Sequence, residues 1–135
     1  MLNTSISDDD KLSKLLKLIK AEGNLSEIAE NEIISSFESR GEKAAKTLRE
    51  NKLHKLILNE KIAIWEVEGT SGSYILIDNN YCECKDFQIR VLRRGEKTLC
   101  YHLLAKIIGE ELQLYNLKKI SNEDYDNLIK SKISD

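Results

Sequence analysis

The N-terminal part of the chain repeats apolar residues with the period of an α-helix. From residue 8 to residue 22 the apolar positions recur every three or four residues, and lysines fall between them on the other side. The Ser7 hydroxyl can cap the first turn, and Gly23 stands just after the last turn. The pattern predicts an amphipathic helix whose apolar stripe includes Leu12, Leu15, Leu16 and Ile19.

Two further helices are predicted before residue 50. Asn24 and Glu27 have the spacing of a capping box, and apolar residues at helical spacing follow them. A third, short helix is expected from Glu42 to Glu50, after Gly41. These segments together define an N-terminal helical region over residues 1–50.

Beyond residue 50 the pattern becomes that of β-strands. Leu53–Leu58, Ile62–Glu68 and Tyr74–Ile77 are rich in β-forming residues, and a Gly/Ser-rich loop separates the last two. They predict a small antiparallel sheet. Helical spacing returns after residue 102, and a last helix is expected from Asn122 to Lys132.

The predicted fold class is therefore α+β, with a small antiparallel sheet between two sets of helices. No repeat and no linker divides the chain, whose 135 residues suit one domain. We expect a helical region over 1–50, a sheet and finger over 51–115, and a C-terminal helical tail over 116–135.

All three cysteines of the chain and one of its two histidines lie between residues 82 and 102. They form two short pairs in the pattern C-x-C-x15-C-x-H, made of Cys82, Cys84, Cys100 and His102. Three thiolates and an imidazole suit a closed tetrahedral zinc site. Each pair would need a backbone bend, at Glu83 and at Tyr101, for its side chains to converge. Unrelated buried thiols and a redox role are the alternatives.

Composition indicates which cellular compartment and which classes of partner to expect. The net charge is −2, so nucleic-acid binding would need a local basic patch. No apolar run is long enough for a membrane span, and the N-terminus lacks the layout of a signal peptide. An odd number of cysteines fits disulfides poorly. We expect an intracellular protein, in the cytoplasm or nucleoid of a prokaryote or in a eukaryotic nucleus, with no membrane partner.

The segment between the two ligand pairs is locally positive. Asp86 can cap a helix there, Gly95 can end it, and an apolar arc of Phe87, Ile89, Val91 and Leu92 would leave a basic edge. Guanidinium groups bind phosphate well, so this edge is a candidate nucleic-acid contact, although a solvated face is the plainer alternative. The candidates are Arg90, Arg93, Arg94 and Lys97.

The first helix is the second candidate surface. Its stripe of Leu12, Leu15, Leu16 and Ile19 could either fold onto the domain or dock on another protein as a helix in a groove. The sequence leaves both possibilities open.

The ligand pattern and its flanks resemble the SWIM zinc finger, whose signature is C-x-C-x(n)-C-x-H. Phe87 stands three residues after the second cysteine, and Ala105 stands three residues after the histidine. The runs "CECKDF" and "LCYHLLA", with two strands before them, look most similar to the small SWIM proteins of the Shu complex class. The resemblance extends from about Ile28 to the C-terminus. It implies one structural zinc ion and a partner related to the RecA/RadA recombinases, with single-stranded DNA bound directly or through that partner.

Catalysis is not expected. Four protein ligands leave zinc no open position, whereas catalytic zinc usually keeps one for water. His54 reads as a surface or packing histidine, and no phosphate-binding loop or deaminase motif is present. No small-molecule substrate is predicted. We expect a non-enzymatic subunit in homologous recombination and repair; the alternatives are a standalone SWIM DNA-binding module and a protein-only scaffold.

Overall fold

A computed structural model describes residues 7–70, 72–97 and 99–133, the last three by their backbone alone. Within these ranges the chain forms six helices and five strands. Their order is α1 (Asp8–Glu22), α2 (Glu27–Phe37), α3 (Ser39–Arg49), β1 (Leu53–Leu58), β2 (Ile62–Glu68), β3 (Ser73–Ile77), β4 (Tyr81–Cys82), a π-helix (Phe87–Arg93), α4 (Tyr101–Leu112), β5 (Asn116–Ile120) and α5 (Asn122–Ile133). The α+β prediction is confirmed.

Helix α1 begins and ends where the sequence predicts. The hydroxyl of Ser7 accepts a hydrogen bond from the Asp10 backbone N–H at 3.2 Å. Gly23 closes the helix in the left-handed region, at φ 76°. Both ends are set by local interactions, because each cap satisfies backbone groups that a helix terminus leaves unpaired.

The apolar stripe of α1 packs onto the rest of the chain. Leu15 and Ile19 are fully buried in the core, and Leu12 and Leu16 pack against it. The sequence leaves open whether this stripe folds onto the domain or docks on a partner. In the structure it packs onto the domain, with Leu12 and Leu16 partly buried. Burying it against α2 and α4 removes apolar area from water, which an isolated amphipathic helix cannot do.

Helices α2 and α3 start at residues other than those predicted. Ser26, and not Asn24, caps α2, and its hydroxyl accepts from the Ala29 N–H at 3.1 Å. Helix α3 starts at Ser39, so Gly41 lies inside it. A Cβ on Gly41 would lie 2.2 Å from the Ile33 carbonyl oxygen, so this glycine permits close contact of α2 and α3 instead of separating two elements.

The five strands form one sheet in the order β4-β3-β2-β1-β5. The first three pairings in that order are antiparallel, as predicted, but β5 joins the outer edge of β1 in parallel. The predicted helical tail over 116–135 is thus wrong in its first part. The sequence of β5, "NLKKI", has no alternating apolar pattern, and its first four residues are exposed.

Helices α1 to α4 share a hydrophobic core with one face of the sheet. From the sheet this core takes Leu53, Trp65, Val67, Leu76 and Cys82, whose register places them on the same face. Helix α4 lies in the centre and buries eight consecutive residues from His102 to Gly109. The predicted helical region 1–50 and the finger are therefore packed together; the division into three domains stays a prediction. None of the helices in the described ranges has the length and apolar character that a bilayer crossing needs.

Candidate metal centre

Cys82, Cys84, Cys100 and His102 converge in the folded chain. One potential ligand atom from each lies within 4.8 Å of all the others, and all four residues are buried. Tetrahedral zinc with sulfur ligands at ~2.3 Å would set its ligand atoms roughly 3.8 Å apart. The measured spacing therefore needs only a small contraction to hold one metal ion.

The first pair reaches the site because the chain bends after β4. Cys82 pairs with Leu76 across the sheet, and Glu83 then leaves the strand. The Glu83 N–H donates to the Ile75 carbonyl at 3.1 Å, and its carboxylate accepts from the Ile75 N–H at 2.7 Å. The bend predicted at Glu83 is thus held by two hydrogen bonds, and it lets Cys82 and Cys84 point to the same side.

The second pair lies where extended chain turns into helix α4. Cys100 is the residue before the helix, with φ −89° and ψ 171°, and His102 lies in the first turn. The Cys100 carbonyl accepts from the Leu104 N–H at 3.1 Å, which starts the helical hydrogen bonding. This change of backbone conformation around Tyr101 brings the thiol and the imidazole together.

The polar atoms of the cluster match the needs of a bound cation. The Cys82 sulfur lies 3.8 Å from His102 Nδ1, and the Cys84 sulfur accepts from the Phe87 N–H at 3.3 Å. One imidazole gives one nitrogen to a single ion, and Nδ1 is the nitrogen that lies at ligand spacing from a sulfur. Three sulfurs and one imidazole nitrogen form a zinc donor set, and the site fits one zinc ion.

The three thiols strongly affect one another's ionisation. Hydrogen bonds from Cys100 and Cys82 lower the pKa of Cys84, so this sulfur is the one that holds negative charge most easily. The pKa of Cys82 is raised, first because of its hydrogen bonds with Cys100 and Cys84 and then because it is buried. Negative charge accumulates on three adjacent sulfurs only if a cation compensates it, which is what a divalent metal provides.

Aromatic rings, and not lysines, surround the histidine. The Tyr101 and Tyr74 rings lie 4.0 and 4.9 Å from the His102 ring, between centroids. Lys106, also on α4, donates to Asn79 at 2.6 Å and to Glu110 at 2.9 Å, so its ammonium already has two partners.

The basic segment between the pairs forms a π-helix. Arg94 N–H donates to the Ile89 carbonyl, five residues back, at 3.0 Å, and Gly95 follows at φ 61°. A π-helix turns less per residue than an α-helix, so the predicted apolar arc does not form. Phe87 is buried, whereas Ile89 and Leu92 are 38% and 59% exposed. Asp86 makes no capping hydrogen bond, contrary to the prediction.

The four candidate nucleic-acid residues are not equivalent. Lys97 is only 14% exposed and pairs with Asp86 at 2.8 Å, so it is poorly placed for a phosphate. Arg90 and Arg94 are more than half exposed and form longer pairs, of 3.5 Å with Asp86 and 3.6 Å with Glu96. Arg93 is exposed as well. The arginine edge stays a candidate contact, whereas Lys97 stabilises the segment.

The other histidine is far from this chemistry. His54 is buried on the other face of the sheet, where its Nε2 lies 2.5 Å from the Glu68 carboxylate and its Nδ1 lies 3.3 Å from the Asn116 side-chain nitrogen. It joins β1, β2 and β5, which agrees with the packing role that we expect for it.

The chain is similar to three proteins named zinc finger SWIM domain-containing protein 7 or its homolog. The Dictyostelium discoideum homolog is 24% identical over 136 aligned positions, which cover 96% of this chain and 87% of that protein. The comparisons support a SWIM-type zinc-finger protein. The SWIM proteins of Danio rerio and Mus musculus are 34% and 31% identical over 50 and 68 residues. Those two matches span only 36% and 45% of the relatives. No protein-family model and no solved structure matches the chain.

Proposed function

We propose that this chain is a non-enzymatic SWIM zinc-finger subunit that acts in homologous recombination and DNA repair with a RecA/RadA-type recombinase paralogue. The observation that supports the zinc-finger part of the proposal is the convergence of ligand atoms from four buried residues within 4.8 Å. Four protein ligands complete a tetrahedral zinc site and leave no position for water or substrate. Such a site favours a binding platform over a reaction centre.

The proposed zinc ion is structural. It would connect the turn after β4 to the first turn of α4, two segments that the π-helix separates in sequence. Binding of structural zinc contributes ~10–16 kcal/mol in zinc-finger peptides, far more than the net stability of most domains. The presentation of the π-helix at the surface would therefore depend on the metal.

The recombinase-type partner is inferred from the resemblance of the "CECKDF" and "LCYHLLA" runs to Shu-complex SWIM proteins. Since the stripe of α1 packs largely onto the domain, the π-helix is the stronger candidate for the contact surface. The π-helix exposes Ile89 and Leu92 beside three arginines, and such a mixture of apolar and arginine side chains is typical of protein interfaces. We assign the partner contact to this helix.

Co-purification tests the proposal. A tagged chain, isolated from its native organism under reducing conditions with zinc present, is expected to bring down a RecA/RadA-family ATPase identified by mass spectrometry. I89A/L92A is expected to lose this partner. I62A removes a similarly exposed apolar side chain, 51% exposed, at the far hairpin, and should keep the partner. Recovery of no such ATPase with the unaltered chain would refute the partner.

A standalone DNA-binding module is the second candidate, favoured by the exposure of Arg90, Arg93 and Arg94. It predicts tight DNA binding by the isolated chain that weakens steeply with salt. Replacing all three arginines by alanine would then reduce the slope of log K against log salt by about 2 for single strands, at ~0.7 per neutralised phosphate.

A further inference from the structure

A cleft lies next to the metal centre, between α3, the start of β1 and the loop after β2. Its volume is about 310 Å³. Ligand pockets of this size lie at the lower end of the ~300–1,000 Å³ range, enough for one small group at a time. The residues that give it chemical character are Lys43, Lys46, Lys52 and Tyr101.

The cleft holds two lysines that form no salt bridge within the described part of the chain. Two acidic residues also line it, but Glu50 pairs with Lys52 at 3.1 Å and Glu68 pairs with His54. The hydrogen bond with Lys52 lowers the pKa of Glu50, and the charge of the nearby Lys46 helps to lower it. Neither Lys43 nor Lys46 forms a salt bridge with any residue in the described ranges. These two lysines, three positions apart on α3, face the same side of the helix. The cleft therefore attracts anions even though the whole protein is acidic.

An aromatic ring completes the cleft. Tyr101 is partly exposed, and the Lys43 ammonium lies 5.6 Å from the centre of its ring. The same ring packs at 4.0 Å against His102, one of the four clustered ligands. A metal held by His102 would thus fix the orientation of the tyrosine. Lysines without a salt bridge beside an aromatic ring are a combination with which proteins bind single strands, through phosphates and base stacking.

We propose that this cleft binds the phosphate backbone of single-stranded nucleic acid through Lys43 and Lys46. A base stacks on Tyr101 in place of the Lys43 ammonium, which moves from the ring to a phosphate. The inference rests on the proposed function, since single-stranded DNA is the form that a recombination subunit meets. A duplex keeps its bases stacked inside, so it offers Tyr101 no base. The cleft lies apart from the π-helix, and the arginines of that helix do not line it.

The test is fluorescence anisotropy of a labelled oligo-dT with the purified, zinc-loaded full chain. K43A/K46A should lower the slope of log K against log salt by about 1.4, at ~0.7 for each phosphate that a lysine no longer neutralises. Y101A should weaken binding by roughly 5- to 150-fold, the range for removal of one stacking ring, whereas Y101F should leave it unchanged. K17A/K20A is the matched control, with the same spacing on the exposed side of α1, and should behave like the unaltered chain. Zinc content, measured on each variant, should remain at one per chain.

Several results would overturn the cleft. The slope of log K against log salt could fall equally in K17A/K20A, or fall only in the triple arginine variant. The chain could bind a duplex of the same sequence with equal affinity. It could also bind inorganic pyrophosphate but not oligo-dT. Co-purification of the ATPase distinguishes failure of the cleft proposal from failure of the proposed function. K43A/K46A should still bring down the RecA/RadA-family ATPase; no DNA binding by the unaltered chain together with full partner recovery contradicts the cleft alone.

Discussion

The guanidinium of Arg40 on α3 donates two hydrogen bonds to the Asp8 carboxylate at the start of α1, at 2.9 and 3.0 Å. The same group donates a third hydrogen bond, of 2.9 Å, to the carbonyl of Leu99, the residue before Cys100. Arg40 thus connects two N-terminal helices to the second ligand pair. The N-terminal helices are part of the support of the metal centre.

Replacing Arg40 by alanine should therefore lower the free energy of unfolding. Charge-assisted hydrogen bonds in partly buried positions contribute roughly 1.5–3 kcal/mol, and the Leu99 carbonyl would lose its partner as well. Arg49→Ala on the same helix is the control: its pair with Glu30 involves a side chain that is 49% exposed, so we expect a loss below about 1 kcal/mol. Urea denaturation of both variants measures the difference, and equal losses would contradict this role of Arg40.

The unaltered chain should hold one zinc ion, and loss of any ligand should remove it. We expect C100S and H102A to fall well below one zinc per chain by elemental analysis of reduced protein. Both should lose cooperative unfolding of the segment around residues 82–102, as should the unaltered chain after chelation. H54A is the matched histidine control and should keep its zinc, since His54 lies on the opposite face of the sheet. Freshly reduced protein without zinc would refute the metal centre.

Gly41→Ala should destabilise the chain although alanine is the better helix former by ~1 kcal/mol. The added Cβ would meet backbone, 2.2 Å from the Ile33 carbonyl oxygen, so α2 and α3 would have to separate. Overpacking of this kind costs about 1–3 kcal/mol or more. At Gly109 the new methyl group would meet mainly side-chain methyls of Leu53 and Leu48, which can rotate away. Thermal unfolding should show a larger loss for G41A than for G109A.

The contact between His54 and Glu68 should make stability depend on pH. The hydrogen bond with His54 lowers the pKa of Glu68 below its ordinary value of 4.5. A lowered folded-state pKa contributes stability above the unfolded-state value, and that contribution disappears as pH falls through the folded-state value. The difference in unfolding free energy between the unaltered chain and E68Q should thus be present near pH 6 and shrink below pH ~4. E111Q, at an exposed site on α4, should show no such trend.

Helix α1 and the ligand cluster could both be predicted from sequence, for different physical reasons. The caps of α1 and its apolar period are local, so neighbouring residues determine them. The cluster is predictable because chelation by all four residues requires them to meet, whatever path the chain takes between them. For these two features the sequence pattern is therefore almost sufficient to predict the structure.

Other features depend on contacts that no local pattern records. Strand β5 is almost wholly exposed and exists because the edge of β1 supplies hydrogen-bond partners. Gly41 looks like a helix breaker in sequence, and only the close approach of α2 explains its position inside α3. The contact of Arg40 with the Leu99 carbonyl joins residues 59 apart. Each of these features can be predicted only when the tertiary fold is known.

The parallel pairing of β5 with β1 also sets an order of events during synthesis. Asn116, which meets His54 in that pairing, is made 62 residues after it. The nascent chain therefore leaves the ribosome with both ligand pairs complete while the outer edge of β1 is still open. Such an edge is a site for misassembly with other chains until it is covered. Translation that stops between Leu112 and Asn116 would release a product that contains α4 and all four ligand residues but leaves the edge of β1 uncovered.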